Sequence, residues 1–295
     1  MEDVVSHTAS AGGYEDRSAG LVTFGILQVI VGLVCGLNLL SIAAAAERFG
    51  APPAAVSSAI VVYSVATCWF VTMGVGSIRA RRWARALSLA GSWIWALIGL
   101  FAVILMTFFM PSLVQNGGSK GLALIATLFI AAPVAFILFY RSRSVGATCD
   151  ERDPHVRWTD RVPVSVLGVA MLLAFCALSL LVGASHGSLS IFGTTLTGAP
   201  AMLAMLAFAG LFGFLAVQLL RLRESAWWTV TLLHVISALA AAVALLRGNG
   251  TMATSPALIV VMVVGFAAGL AFLIWLRRYF VGIAPRTRAS DLARA

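Results

Sequence analysis

Residues 141–161 read RSRSVGATCDERDPHVRWTDR and form the only long charged segment between two very apolar halves. Four hydrophobic runs lie on each side of this segment. Each run has about 20 residues or slightly more, the length that a helix needs to cross the hydrocarbon core of a bilayer. The pattern predicts an integral membrane protein whose two halves are joined by a short polar connector.

The composition excludes a water-soluble globule. Hydrophobic residues make up 61% of the chain and charged residues 11%, with a mean hydropathy of +0.99, whereas a soluble domain is roughly half apolar and about a quarter charged. The net charge of +9 comes almost entirely from arginines at the ends of the apolar runs, where such charges orient helices in a membrane. The lipid bilayer is therefore the expected partner, and nucleic acid is not.

The apolar runs predict an all-α polytopic bundle of about eight transmembrane helices. They lie at about residues 20–43, 54–78, 86–110, 121–140, 163–184, 199–220, 226–246 and 255–276. Pro133 lies inside the fourth run and is expected to kink it, because proline removes a backbone hydrogen bond from a helix.

The runs divide the chain into two membrane units and three polar segments. These are a disordered cytoplasmic tail (1–19), a first four-helix unit (20–140), a cytoplasmic connector (141–162), a second four-helix unit (163–276) and a basic cytoplasmic tail (277–295). The acidic start and the long first run favour an uncleaved anchor over a cleaved signal peptide, although Ala43–Ala46 resembles a cleavage site.

The basic residues indicate the orientation. With eight spans and the N-terminus inside, every basic residue except Arg48, Lys120 and Arg247 lies on the cytoplasmic side. Such asymmetry in short loops is typical of the positive-inside rule. It predicts that both termini are cytoplasmic. The frequent use of Ala and Arg indicates a GC-rich bacterial genome, so we expect the inner membrane.

Similar residues recur at matching places in the two halves. An Arg-x-Arg-x-x-Ala motif follows the second run as Arg79–Ala84 and the sixth run as Arg221–Ala226. Because four spans return the chain to the same side, these matches predict two parallel four-helix repeats. The alternative is that helices entering from a basic cytoplasm simply look alike.

Small residues at helical spacing predict close helix packing. Gly25, Gly32 and Gly36 share one face of the first span, and Gly265 and Gly269 lie four residues apart in the last. Small residues let backbones approach in lipid, where no hydrophobic effect drives helices together. Packing within one bundle is the simpler interpretation, and a homodimer face or a membrane-protein partner is the alternative.

A collar of arginine and tryptophan is expected at the cytoplasmic membrane boundary, where tryptophan lies at headgroup depth and arginine extends outward. It could bind anionic lipid head groups. Its members are Arg79, Arg81, Arg82, Trp83, Arg85, Arg221, Arg223 and Trp227.

Three polar side chains inside the predicted spans are candidates for a shared polar cavity. They are Gln28 and Asn38 in the first span and His234 in the seventh. A titratable group at membrane depth is costly and often functional. The preferred interpretation is nevertheless structural, with Gln28 and Asn38 forming hydrogen bonds between helices and His234 packing against a neighbouring helix.

The connector also contains groups typical of chemical sites. His155 and Asp160 match the H-x-x-x-x-D pattern of glycerolipid acyltransferases. Cys149 and the neighbouring carboxylates are residue types that could bind a metal ion. The connector is short and its carboxylates alternate with arginines, so a solvated, ion-paired linker is the preferred interpretation. The cysteines form no CxxC pair, which argues against a zinc or iron–sulfur site. No second histidine lies deep in a predicted span beside His234, so a haem with two histidine ligands is not expected. We therefore predict no catalytic, metal-binding or cofactor-binding residues.

No segment outside the runs reaches the roughly 50 residues of a small independent domain. This argues against ATP-driven and soluble-catalytic designs and makes an enzyme the less favoured class. The sequence favours a non-catalytic structural, assembly or accessory subunit of the membrane. The alternative is a passive carrier or channel for a small neutral or apolar solute or a lipid.

Overall fold

The computed structural model describes residues 15–49, 53–109, 123, 126–191, 194–246 and 256–281. Helices account for 87% of these residues. In chain order the elements are α1 (Ser18–Phe49), α2 (Pro53–Ile78), α3 (Arg82–Phe109), a π-helical turn (Thr127–Ala131), α4 (Ala132–Arg141), α5 (Arg143–Arg152), α6 (Trp158–Arg161), α7 (Val164–Ala184), β1 (Ser188–Ile191), β2 (Thr194–Thr197), α8 (Ala199–Leu220), α9 (Glu224–Leu246), α10 (Pro256–Leu276) and α11 (Arg278–Val281).

The all-α, multi-pass character is confirmed. Within the described residues, α1, α2, α3, α7, α8, α9 and α10 are long and apolar enough to cross a membrane. The fourth predicted span, 121–140, is described at residue 123 and from residue 126 onward, and it ends in α4. The axis then bends by 62° into α5. Residues 1–14 and 282–295 of the predicted tails lie outside the described residues.

The irregular turn before Pro133 has a clear physical cause. Proline has no N–H to donate to the carbonyl of Phe129, four residues earlier, and its ring crowds that carbonyl. The chain widens there into the π-helical turn, and the Phe129 carbonyl lies against Gly99 of α3. A residue with a side chain at position 99 would collide with it, so the distortion depends on a glycine in the neighbouring helix.

The most extensive helix contact among the described residues joins α1 to α2. A Cβ atom at Gly25 would lie 2.8 Å from the Gly74 carbonyl oxygen, and one at Gly74 would lie 2.6 Å from the Gly25 carbonyl oxygen. Two turns further along α1, Gly32 meets Val71 with similar closeness, while Gly36 is in ordinary van der Waals contact. The glycine face of the first span therefore packs within the bundle, on Gly74 of α2.

The last span uses only one of its two glycines in the same way. A Cβ atom at Gly269 would lie 2.7 Å from the His234 ring of α9, whereas one at Gly265 would meet nothing within 4 Å. The close approach of α9 and α10 thus depends on an imidazole seated against a glycine.

The two Arg-x-Arg matches have the same backbone geometry. Ala80 and Leu222, the central residues, have positive φ angles of 49° and 53°. In both turns the central N–H donates to the carbonyl three residues earlier at 2.8 Å, and the next arginine donates to the carbonyl five residues earlier. This is the Schellman pattern that ends many helices. A left-handed non-glycine residue costs roughly 1–2 kcal/mol. The two Arg-x-Arg segments therefore share an unfavourable backbone conformation as well as their residues.

A β-hairpin follows α7, in the segment between the predicted fifth and sixth spans. β1 pairs with β2 in antiparallel register, with Ser188 opposite Thr197 and Ile191 opposite Thr194. Gly187 and Gly198 flank it with positive φ angles, and the Gly198 N–H donates to the Gly187 carbonyl at 2.8 Å. The alternating segments SLSI and TTLT carried this signal.

Most of the buried side chains lie toward the arginine-rich end of the bundle. One buried cluster, which includes Leu21, Tyr140 and Val145, joins α1, α4 and α5. A second buried cluster, which includes Val166 and Leu276, joins the four helices α7, α8, α9 and α10. It also contains Ala90 of α3. The two halves therefore meet through α3 and α7 near this end.

Candidate functional site

The connector folds back onto the arginine-rich end of the first half. Ser142 caps α5, since its side chain accepts a hydrogen bond from the Val145 N–H. The side chains of Val145, Thr148 and Cys149, on one face of α5, are buried. The Thr148 hydroxyl also accepts a hydrogen bond from the Arg17 N–H at 3.1 Å, which ties α5 to the start of α1. This part of the connector is therefore a docked helix, and the interpretation as a solvated linker does not hold for it.

A set of ion pairs, here called the connector clamp, holds the end of α5 to the turn between α2 and α3. Arg81 Nη1 lies 3.2 Å from Asp153 Oδ1, and the Arg82 N–H donates to Asp153 Oδ2 at 3.4 Å. Arg82 Nε lies 3.1 Å from Asp150 and 3.6 Å from Asp160. Asp153 is completely buried, so these partners offset the cost of removing its carboxylate from water.

Arg85 lies beneath the same helix. Its Nε donates to the Tyr140 carbonyl at 3.1 Å, which satisfies one of the free carbonyls at the end of α4. Its guanidinium also lies against Gly146, where a Cβ atom would be 3.1 Å from Nη2. The Arg85 side chain is thus part of the packing between the first half and the connector.

The predicted arginine and tryptophan collar therefore separates into three groups. Arg82, Arg85 and Trp227 turn toward protein: Trp227 is 3% exposed and donates its Nε1–H to the Leu273 carbonyl at 2.7 Å. Arg221 and Arg223 are exposed at the second turn. Arg79, Arg81 and Trp83 share a groove.

The groove also contains an arginine that the sequence analysis did not include. Its volume is about 420 Å³, and its lining residues are Val71, Thr72, Val75, Gly76, Arg79, Arg81, Trp83 and Arg157. Arg157 comes from the connector, more than 70 positions from the others in sequence. Only the folding of the connector onto α2 and α3 brings it there, so spacing along the chain could not have identified it.

A buried chain of hydrogen bonds crosses the first half. Gln28 Nε2 donates to Ser88 Oγ at 3.1 Å, and the Ser88 side chain interacts with the Tyr140 hydroxyl. That hydroxyl lies 2.6 Å from Ser77 Oγ, which donates to the Leu21 carbonyl at 3.2 Å. Because Ser77 has one proton, Tyr140 donates to Ser77. Side chains of α1, α2, α3 and α4 are thereby linked, while Gln28 Oε1 has no protein partner.

We expect the tyrosine to contribute more to stability than the glutamine. Tyr140→Phe removes the hydroxyl that bridges two buried serines and should lower the free energy of unfolding by about 1–3 kcal/mol. Gln28→Met removes one hydrogen bond together with an unsatisfied acceptor, so its cost should stay below about 1 kcal/mol. Denaturant unfolding in detergent, followed by tryptophan fluorescence, measures both. The reverse order would contradict the role assigned to the Tyr140 hydroxyl.

The structure does not bring the three candidates for a polar cavity together. Gln28 belongs to the hydrogen-bond chain described above. Asn38 is half-buried and donates to the Val34 carbonyl of its own helix at 2.8 Å. His234 Nε2 lies 2.9 Å from the Phe266 carbonyl of α10. Each side chain has its own separate contact.

The catalytic and metal patterns of the connector are likewise not assembled. Asp160 accepts a hydrogen bond from the Arg157 N–H at 2.8 Å and faces Arg82, while His155 is exposed. Cys149 is 1% exposed, and burial raises the pKa of its thiol to about 11. Within the described residues, no group of three or more His, Cys, Asp or Glu side chains is placed to hold a metal ion.

A serine–histidine contact at the opposite end of the bundle was not predicted. The Ser58 hydroxyl of α2 lies 3.0 Å from His186 Nε2 and 3.3 Å from Ser185 Oγ, in the turn after α7. An open, mostly apolar cavity of about 230 Å³ adjoins it, lined by residues of α2 and α7 such as Val61 and Leu181. The contact links the two halves on this side.

No family model, curated protein or solved structure matches the chain.

Proposed function

We propose that this protein is a non-catalytic subunit of the membrane, with a structural, assembly or accessory role. The observation that carries the proposal is the environment of His234, the one histidine well inside a described span. It contacts a backbone carbonyl and a glycine of the neighbouring helix. An imidazole that serves helix packing supports a structural role for the bundle.

The charged groups support the same proposal. The described carboxylates lie at helix ends or in the connector, and three connector carboxylates serve the clamp. Pumps and ion-coupled transporters commonly place such groups at membrane depth. The carrier alternative depended on Gln28, Asn38 and His234 lining one path, and their separate contacts do not favour it.

The proposal includes a specific topology. We propose eight spans arranged as two parallel four-helix repeats, with both termini and the connector in the cytoplasm of a bacterium and the bundle in its inner membrane. The matching turns at Ala80 and Leu222 support the duplication. The arginine-rich ends of α2, α4, α8 and α10 support the orientation.

The proposed role predicts a stable partner. We expect a tagged chain, cross-linked in its native membrane and then extracted in mild detergent, to be recovered mainly in one defined complex with another membrane protein or a second copy. Native mass spectrometry measures the composition and stoichiometry of that complex. Recovery of an isolated monomer both with and without cross-linking would contradict the proposal.

A further inference from the structure

The groove at the arginine-rich end combines two kinds of surface. One wall is the apolar side of α2, with Val71 and Val75, and the other presents Arg79, Arg81 and Arg157 beside Trp83. Val75 is 39% exposed, so the apolar wall is open to the surroundings of the helix. The basic wall lies where α2 ends, which is the depth of lipid head groups if α2 spans the bilayer.

The positive charge in the groove is only partly balanced. Arg81 shares the buried carboxylate of Asp153. Within the described residues, no carboxylate oxygen lies within 4.0 Å of the guanidinium of Arg79 or Arg157. The nearby carboxylate of Asp160 is engaged by the Arg157 N–H and by Arg82. Two exposed guanidinium groups therefore remain available to an anion from outside the chain.

The chemistry of such a ligand follows from the two surfaces. Guanidinium groups match the oxygens of a phosphate in paired hydrogen bonds. An apolar wall running from the phosphate position along a membrane helix matches an acyl chain. A soluble phosphate compound would use the arginines and leave the wall unused, so the groove favours a ligand that has both parts.

We propose that the groove binds an anionic glycerophospholipid, with its phosphate between Arg79 and Arg157 and an acyl chain along Val71 and Val75. Because Arg157 belongs to the connector and Arg79 to the end of α2, the headgroup holds the two segments together. Bound lipid thereby reinforces the connector clamp. This inference is independent of the proposed subunit role.

Native mass spectrometry of the delipidated, full-length protein tests the proposal, with dioleoyl phosphatidylglycerol and dioleoyl phosphatidylcholine as probes. We expect preferential binding of phosphatidylglycerol. Arg79→Gln and Arg157→Gln should each weaken that binding about fivefold, which corresponds to the ~1 kcal/mol typical of one arginine at an anionic membrane surface. Arg157→Lys, which keeps the charge, should retain most of the preference.

Arg143→Gln is the matched control, because Arg143 is an exposed arginine of the connector outside the groove. It should bind phosphatidylglycerol as the wild type does. Inorganic phosphate at millimolar concentration should not displace the lipid. Equal binding of the two lipids, or wild-type binding by both glutamine variants, would overturn the proposal. Displacement by inorganic phosphate would instead indicate a site for a free phosphate and would also overturn it.

Discussion

Replacing Gly74 with leucine should force α1 and α2 apart and cost at least about 3 kcal/mol of stability. A Cβ atom at position 74 would lie 2.6 Å from the Gly25 carbonyl oxygen and 2.9 Å from the Val29 nitrogen. Both are backbone atoms of a helix and cannot rotate away, so this substitution belongs at or above the upper end of the 1–3 kcal/mol typical of overpacking. Separation would also stretch the contact of Ser77 with the Leu21 carbonyl.

Gly210→Leu provides the matched control for this prediction. Gly210 lies in α8, and a Cβ atom there would meet nothing within 4 Å. Its stability should change by less than about 1 kcal/mol, the typical helix-propensity difference for glycine. Thermal unfolding in the same detergent compares the two variants with the wild type. Equal destabilisation by both would show that the α1–α2 contact is not as close as described.

Removing Asp153 should release the connector and expose Cys149. Asp153→Ala leaves Arg81 and the Arg82 N–H without their buried acceptor. Loss of one partner from a fully buried ion pair can lower the free energy of unfolding by about 3–5 kcal/mol. The Arg81 side chain is 39% exposed, so we expect a smaller loss of about 1–3 kcal/mol. That is enough to open α5 locally without unfolding the spans.

Cys149 reports this opening directly. Burial raises the pKa of its thiol to about 11, from an ordinary value of 9.0, and the thiolate is the species that reacts with maleimide. At neutral pH an exposed thiol therefore has roughly a hundredfold more thiolate, since each pKa unit is a factor of ten. In a variant whose only cysteine is Cys149, Asp153→Ala should raise the labelling rate at least tenfold.

Asp150→Asn is the control for the clamp, because Asp150 is a carboxylate of the same helix whose side chain is 56% exposed. Its pair with Arg82 should contribute no more than about 1 kcal/mol, so labelling of Cys149 should change little. Similar acceleration by both substitutions would mean that the buried position of Asp153 has no special role.

The membrane architecture could be predicted from the sequence because runs of about 20 apolar residues are a strong signal in lipid. The glycine face of α1 was also visible, since Gly25 and Gly32 follow helical spacing. Its partner Gly74 was not, because spacing within one helix carries no information about the helix opposite. The β-hairpin after α7 was missed although its alternation was present, since the composition directed attention to helices.

The candidate sites were less predictable because they depend on distant contacts. The sequence analysis grouped Arg79 and Arg81 with Trp83, but Arg157 enters the groove only through the folded connector. Gln28 was expected to form a hydrogen bond to another helix or to line a cavity with His234, and the sequence could not identify its partner, Ser88 in α3. A polar residue in an apolar run indicates that a partner exists, and only the tertiary fold identifies that partner.

Hydrogen–deuterium exchange of the connector in lipid nanodiscs tests the docked connector most directly. A helix as short as the ten-residue α5 is not stable in water by itself, so slow exchange there requires docking on the clamp. We predict that amides of residues 147–153 exchange at least about a hundredfold more slowly than in an unstructured peptide and that Asp153→Ala abolishes this protection. Exchange of these amides at the unstructured rate in the wild type would contradict the account.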